Sequence, residues 1–184
     1  MANAAAAVLL LAAGALYYQQ AGASADAGAG AAPADAAPSD GASWIDSIMG
    51  TIGIGATRGE RNNNPGNIRA ASDTWQGQTG SDGTFVTFAT PQDGIRALAH
   101  LLRNYQVKYG LNTVRGLVGR YAPASENNTA AYVAAVAADM GVSPDQPLSL
   151  ADAGTLDALV TAIIRHENGR VVYAAADIAS GAAA

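Results

Sequence analysis

The chain has 184 residues and a mass of 18.4 kDa, room for one domain with an appendage and too little for two full domains, since a domain takes about 100 to 200 residues. Absence of cysteine excludes disulfides, thiolate zinc sites and a cysteine nucleophile, and two histidines leave little for a His-rich metal centre, so no metal and no cofactor is expected. All ten Lys and Arg residues lie at or after Arg58 and are scattered within a net charge of -5, so no basic patch for a nucleic-acid partner is present.

From Ala4 to Tyr18 runs an unbroken series of small and apolar residues, with Leu9, Leu10 and Leu11 at its centre and Tyr17 and Tyr18 at its end. A helix rises about 1.5 Å per residue and the hydrocarbon core is about 30 Å thick, so the run is a short membrane anchor, with paired tyrosines at the interface. A cleaved secretory signal has an apolar region of the same length, but Met1-Ala2-Asn3 lacks the usual positive charge. The expected organisation is an anchor or signal over 1–20, a flexible Ala/Gly/Pro linker over 21–56 and a folded domain over 57–184, with a lipid membrane as partner of residues 4–18.

Arg61-Asn62-Asn63-Asn64-Pro65-Gly66-Asn67 is a dense cluster of turn formers and predicts a polar loop. Trp75 to Phe88, with Asp82-Gly83 inside it, predicts a small hairpin. Thr90-Pro91-Gln92-Asp93 reads as an N-cap, a first-position proline and an acid in the first turn, followed by a helix with Ile95, Leu98, Leu102, Tyr105 and Tyr109 on one face and Gly110 at its end. Thr113 caps a short helix bearing Val114, Leu117, Val118 and Tyr121, which Pro123 stops. Asn127 or Asn128 caps another with Tyr132, Val133, Val136 and Met140 inward, ended by Gly141. The last strong helix runs from Leu150 or Leu156 to about Asn168, with Gly169 after it. Four or five helices with one hairpin make a mainly α, α+β architecture.

Only three glutamates occur: Glu60, Glu126 and Glu167. In the final helix Leu156, Leu159, Val160, Ile163 and Ile164 form the inward stripe, and Glu167 continues it four residues past Ile163. Desolvation and the negative end of the helix dipole both penalise its ionised form and raise its pKa, which is what a general acid for glycosidic cleavage needs. The plainer alternative is a helix-end Glu that swings to solvent or pairs with Arg165 or Arg170. Glu60, flanked by Arg58 and Arg61, reads as a surface ion pair, and Glu126 as part of the start of the following helix. Asn62, Asn63, Asn64 and Asn67 offer amide donors and acceptors suited to sugar N-acetyl and hydroxyl groups. Tyr121 and Tyr132 either line a cleft or pack in the core.

Arg61-Asn62-Asn63-Asn64-Pro65-Gly66-Asn67-Ile68-Arg69, Trp75-Gln76-Gly77, Gly94-Ile95-Arg96-Ala97-Leu98, Tyr121-Ala122-Pro123, the segment from Glu126 to Val133 and His166-Glu167-Asn168-Gly169 together resemble a family of phage and prophage virion proteins related to lysozyme-like lytic transglycosylases. The resemblance covers about residues 57 to 181. His166-Glu167-Asn168-Gly169 is similar to the helix end that carries that family's catalytic Glu. The Tyr121 and Glu126–Val133 segments, which follow the Glu helix in ordinary members, precede it here, an order that suggests a circular permutation. Two departures stand out: Tyr121 is not followed by Asn, and Glu126 is not adjacent to Thr129. An unpermuted comparison with flagellar-type glucosaminidases, whose Glu precedes an Asn-Asn loop, promotes Glu60 instead.

The resemblance implies a lysozyme-like fold and a virion-associated peptidoglycan-degrading activity that serves genome delivery from a viral internal membrane and acts in the host periplasm. Its substrate is the peptidoglycan glycan strand, cut at the β-1,4 bond between N-acetylmuramic acid and N-acetylglucosamine. Glu167 is the acid, Glu60 the alternative, and Asn62, Asn63, Asn64, Asn67, Tyr121, Glu126 and Tyr132 contact substrate. One carboxyl suffices for transglycosylation, whereas hydrolysis by a muramidase or glucosaminidase usually needs a pair about 5 to 9.5 Å apart. The other expectation is a membrane-anchored virion structural or wall-binding protein without turnover, with other virion proteins as partners.

Overall fold

A computed structural model describes residues 55–72, 74–124 and 128–184. The anchor over 1–20 and nearly all of the linker over 21–56 lie outside them, as does Glu126. Among the described residues no helix is long and apolar enough to cross a membrane. The order of elements is α1 (Arg58–Arg61), β1 (Gln78–Ser81), β2 (Val86–Phe88), α2 (Pro91–Tyr109), α3 (Val114–Tyr121), α4 (Thr129–Met140), α5 (Ala153–Asn168) and α6 (Ala175–Ala183). The architecture is mainly helical with one two-stranded antiparallel sheet.

Each central helix begins where a side chain can accept from the first orphan amides. Thr90 accepts from the Asp93 amide, Thr113 from Gly116, Asn128 from Ala131 and Asp152 from Thr155. Helices α2, α4 and α5 end on glycines in the left-handed region, Gly110, Gly141 and Gly169. Helix α5 therefore starts at Ala153, between the two expected starts, and Leu150 is buried just outside it. The core joins Ile95, Leu98 and Leu102 of α2, Val114, Leu117 and Val118 of α3, Val133 and Val136 of α4, and Leu156, Leu159, Val160, Ile163 and Ile164 of α5, with Val86 and Phe88 of β2 on its edge. Each fully buried Leu, Ile or Val contributes about 1.5 to 3 kcal/mol relative to exposure.

Three expectations change. Tyr109, placed on the inward face of α2, is 53% exposed, because it is the last helical residue and packs edge-on against Tyr105 with the Arg120 guanidinium 3.6 Å above its ring. The described residues hold six helices, two of them unforeseen. Helix α1 is a single turn closed by a capping box, in which the Thr57 hydroxyl accepts from the Glu60 amide and the Glu60 carboxylate from the Thr57 amide. Helix α6 is mostly alanine and packs on α2 and α5 through Ile178, Gly181 and Ala182. Its approach to α2 is so close that a Cβ on Gly181 would lie 2.8 Å from Ile95 Cγ2.

The hairpin is irregular. Gln78 pairs with Phe88, Gly80 with Thr87 and Ser81 with Val86, so the register shifts between Gln78 and Gly80, and a further bridge joins Arg69 to Phe85. This bridge brings the asparagine loop, residues 62–67, alongside the hairpin. Helix α1 packs on α5, which carries the loop to the C-terminal end of that helix.

Candidate active site

Glu167 occupies the last turn of α5, four residues after the fully buried Ile163, so the helical period turns it inward. It remains partly exposed. Two donors meet its carboxyl: the Tyr132 hydroxyl donates to Oε1 at 2.7 Å and the Asn67 amide nitrogen to Oε2 at 3.0 Å. Burial raises the Glu167 pKa, and the hydrogen bonds from Asn67 and Tyr132 draw it down less than burial lifts it. Among the described residues no second carboxylate contributes to the shift.

The four asparagines of the loop divide. Asn64 is 0% exposed; its amide nitrogen donates to Ile68 O and Val86 O, and its Oδ1 accepts from the Ile68 amide. Asn63 donates to the carbonyls of Phe88 and Ala89, and Asn62 to Asp82 Oδ2 at 2.6 Å. These three amide groups fasten the loop to the hairpin. Asn67 alone reaches Glu167. Both Asn63 and Asn67 have φ of +50°, a conformation that asparagine tolerates better than most residues.

Tyr132 takes the core position, one of its two expected places. It is 3% exposed, packs in the core, and its hydroxyl alone meets the site; the His166 ring stacks on it with centroids 3.6 Å apart. Tyr121 donates to the Gly66 carbonyl, which supports the turn just before Asn67. Neither arginine that could have neutralised Glu167 does so: Arg165 pairs with Asp139 at 2.8 Å, and Arg170 pairs with Glu60 at 2.7 Å.

Glu60 thus forms the expected ion pair, with the distant Arg170 as its bonded partner. The Arg170 guanidinium grips both Glu60 oxygens, and this bond, with the Thr57 amide, holds the Glu60 carboxyl below the usual range despite its partial burial. A carboxylate held ionised in this way has no proton to give at neutral pH, whereas burial shifts Glu167 in the opposite direction.

Sequence reasoning missed the residues that dock the loop on α5. Asn168 is 4% exposed; it donates to Pro65 O at 2.7 Å and Ile164 O at 2.9 Å, and its Oδ1 accepts from the Thr57 hydroxyl at 2.6 Å. Gly59 makes room, since a Cβ there would lie 2.6 Å from Asn168 Oδ1 and 3.0 Å from both Asn64 O and Asn67 Oδ1. Two signals pointed to this dock: Thr57-Arg58-Gly59-Glu60 has the capping-box spacing, and Asn168 lies on the apolar stripe four residues past Ile164.

No family model matches the chain. It is 43% identical over 131 residues to "Protein P5" of Pseudoalteromonas phage PM2, an alignment that covers 68% of this chain and 80% of that protein. With that identity over most of the relative's length, the chain belongs to the bacteriophage protein family of which protein P5 of phage PM2 is a member.

Proposed function

We propose that this protein is a virion-associated lytic transglycosylase that cuts peptidoglycan glycan strands between N-acetylmuramic acid and N-acetylglucosamine. The observation that carries the reading is the Glu167 carboxyl, its pKa raised by burial and its position fixed by Asn67 and Tyr132 at the end of a rigid helix. Protonated Glu167 gives its proton to the glycosidic oxygen as the bond from that oxygen to muramic C1 breaks. The resulting carboxylate takes the proton of the muramic C6 hydroxyl, whose oxygen bonds to C1 and closes a 1,6-anhydro ring. The acid ends as it began and no water is consumed, so a single carboxyl completes the cycle. The phage kinship suits a cell-wall substrate, and the run over residues 4–18 would hold the enzyme at a viral internal membrane during genome delivery.

The test is digestion of purified sacculi by the full chain and by Glu167→Gln, with released muropeptides read by mass spectrometry. The proposal expects 1,6-anhydro ends from the native chain and a loss of at least about 100-fold in the variant, the scale of general acid catalysis. Reducing ends in place of anhydro ends would make it a hydrolase. Equal clearance by both proteins would remove Glu167 from the chemistry, and sacculus binding without release by either would favour the structural or wall-binding role.

A further inference from the structure

Asn67 presents an unusual hydrogen-bond pattern. As it stands, its amide nitrogen faces Glu167 Oε2 at 3.0 Å, while its Oδ1 is buried with no partner. That oxygen lies against the open face of Gly59, and two further oxygens, Asn168 Oδ1 and the Asn64 carbonyl, converge on the same face. Three acceptors thus share one small buried region with no donor for the Asn67 oxygen. The Asn64 carbonyl accepts only the Asn67 backbone amide at 2.8 Å, and Asn168 Oδ1 accepts the Thr57 hydroxyl, so each has a second lone pair to offer.

A half-turn about Cβ–Cγ exchanges the oxygen and nitrogen of an asparagine amide without altering its shape. At Asn67 it replaces the orphaned oxygen with two N–H donors aimed among acceptors. It also places Oδ1 against Glu167 Oε2, and two oxygens at 3.0 Å are attractive only with a proton between them. A buried acceptor without a partner costs about 1 to 3 kcal/mol, so the turned amide is the better-satisfied arrangement whenever Glu167 is protonated. We infer that Asn67 is a positioning residue that holds the acid proton of Glu167: its carbonyl oxygen accepts that proton in the resting protein, and its amide turns to offer N–H to the carboxylate once the proton has left.

The inference deepens the proposed transglycosylase reading and rests on it for the use of the proton, though not for where the proton sits. The bare face of Gly59 leaves space for the Asn67 amide beside Asn64 and Asn168.

Nuclear Overhauser contacts from the Asn67 side-chain amide protons, measured in the full-length protein on either side of the Glu167 carboxyl titration, decide the matter. Below the midpoint the amide protons should show strong contacts to the Gly59 Hα protons. Above it those contacts should fade and contacts to the Tyr132 ring should appear. Gly59 contacts absent below the midpoint, or unchanged across it, would overturn the inference, as would a Glu167 already ionised throughout the range of the folded protein. The measurement needs no substrate. A protein that passes it and releases no anhydro-muropeptides would keep this device and lose the proposed activity, while anhydro products from a protein with no Gly59 contacts would do the reverse.

Discussion

A carboxyl in the last turn of a helix, on the side that faces the core, meets two penalties on ionisation, and Glu167 has both. The spacing from Ile163 and Val160 put it on the inward stripe but left open a side chain that swings to solvent or pairs with Arg165 or Arg170. The partners were not legible, because Asn67 and Tyr132 are 100 and 35 residues away in the chain. Nor did the four loop asparagines differ in the sequence: only the turn geometry separates Asn62, Asn63 and Asn64, which fasten the hairpin, from Asn67, which reaches the acid. Tyr132→Phe keeps the ring on His166 and removes a donor that favours the carboxylate, so it should raise the Glu167 pKa further and move the alkaline limb of any pH-activity profile upward. An unchanged or lowered limb would show that the hydroxyl does not act on Glu167. Because the Glu167 pKa is raised in the folded state, its contribution to stability is complete at acid pH and is lost as pH rises through the folded value. Glu167→Gln should therefore melt higher than the native chain on the alkaline side and lose that pH slope.

At the level of elements, the caps and the 3.6-residue period predicted α2 to α5 closely, and Asp82-Gly83 predicted the hairpin. Thr57 and Glu60 announced α1 only as a local pattern four residues long, too short to stand without the α5 surface beneath it. Helix α6 gave almost no periodic contrast, having Ile178 as its one large apolar residue among alanines; small residues are what its close approach to α2 requires. Helix α2 meets the asparagine loop as tightly. A Cβ on Gly94 would overlap the Asn63 carbonyl oxygen and lie 2.9 Å from Pro65 Cδ. Gly94→Ala should cost about 1 to 3 kcal/mol by overpacking, read as a lower denaturant midpoint. Asp152→Ala, which removes only the α5 cap, should cost about 1 kcal/mol. A larger loss from Asp152→Ala than from Gly94→Ala would contradict the view that the loop seat on α2 is the tighter constraint.

Across the whole molecule, the beginning of the folded region is fastened to the C-terminal end of α5. Arg170 grips Glu60 and also donates to the Gly55 carbonyl, and Thr57 is bonded to Asn168, so both ties span more than a hundred residues of chain. This long-range closure was invisible in the sequence, where Glu60 had nearer cations in Arg58 and Arg61. The tie works with a pH sign opposite to that of Glu167. The Glu60 pKa is depressed on folding, so its stabilisation is present above the ordinary carboxylate range and is lost as pH falls through the depressed value. Glu60→Gln should lower the melting temperature at neutral pH and flatten the acid limb of the stability curve, a change that differential scanning calorimetry would register.

The account depends above all on two glutamates of one small domain being pushed in opposite directions. Carboxyl 13C resonances of the three glutamates, followed by NMR through a pH titration and assigned with Glu167→Gln and Glu60→Gln, measure this directly. The account predicts that Glu167 ionises above the ordinary carboxylate range and well after Glu60; a Glu167 midpoint at or below that range would contradict it.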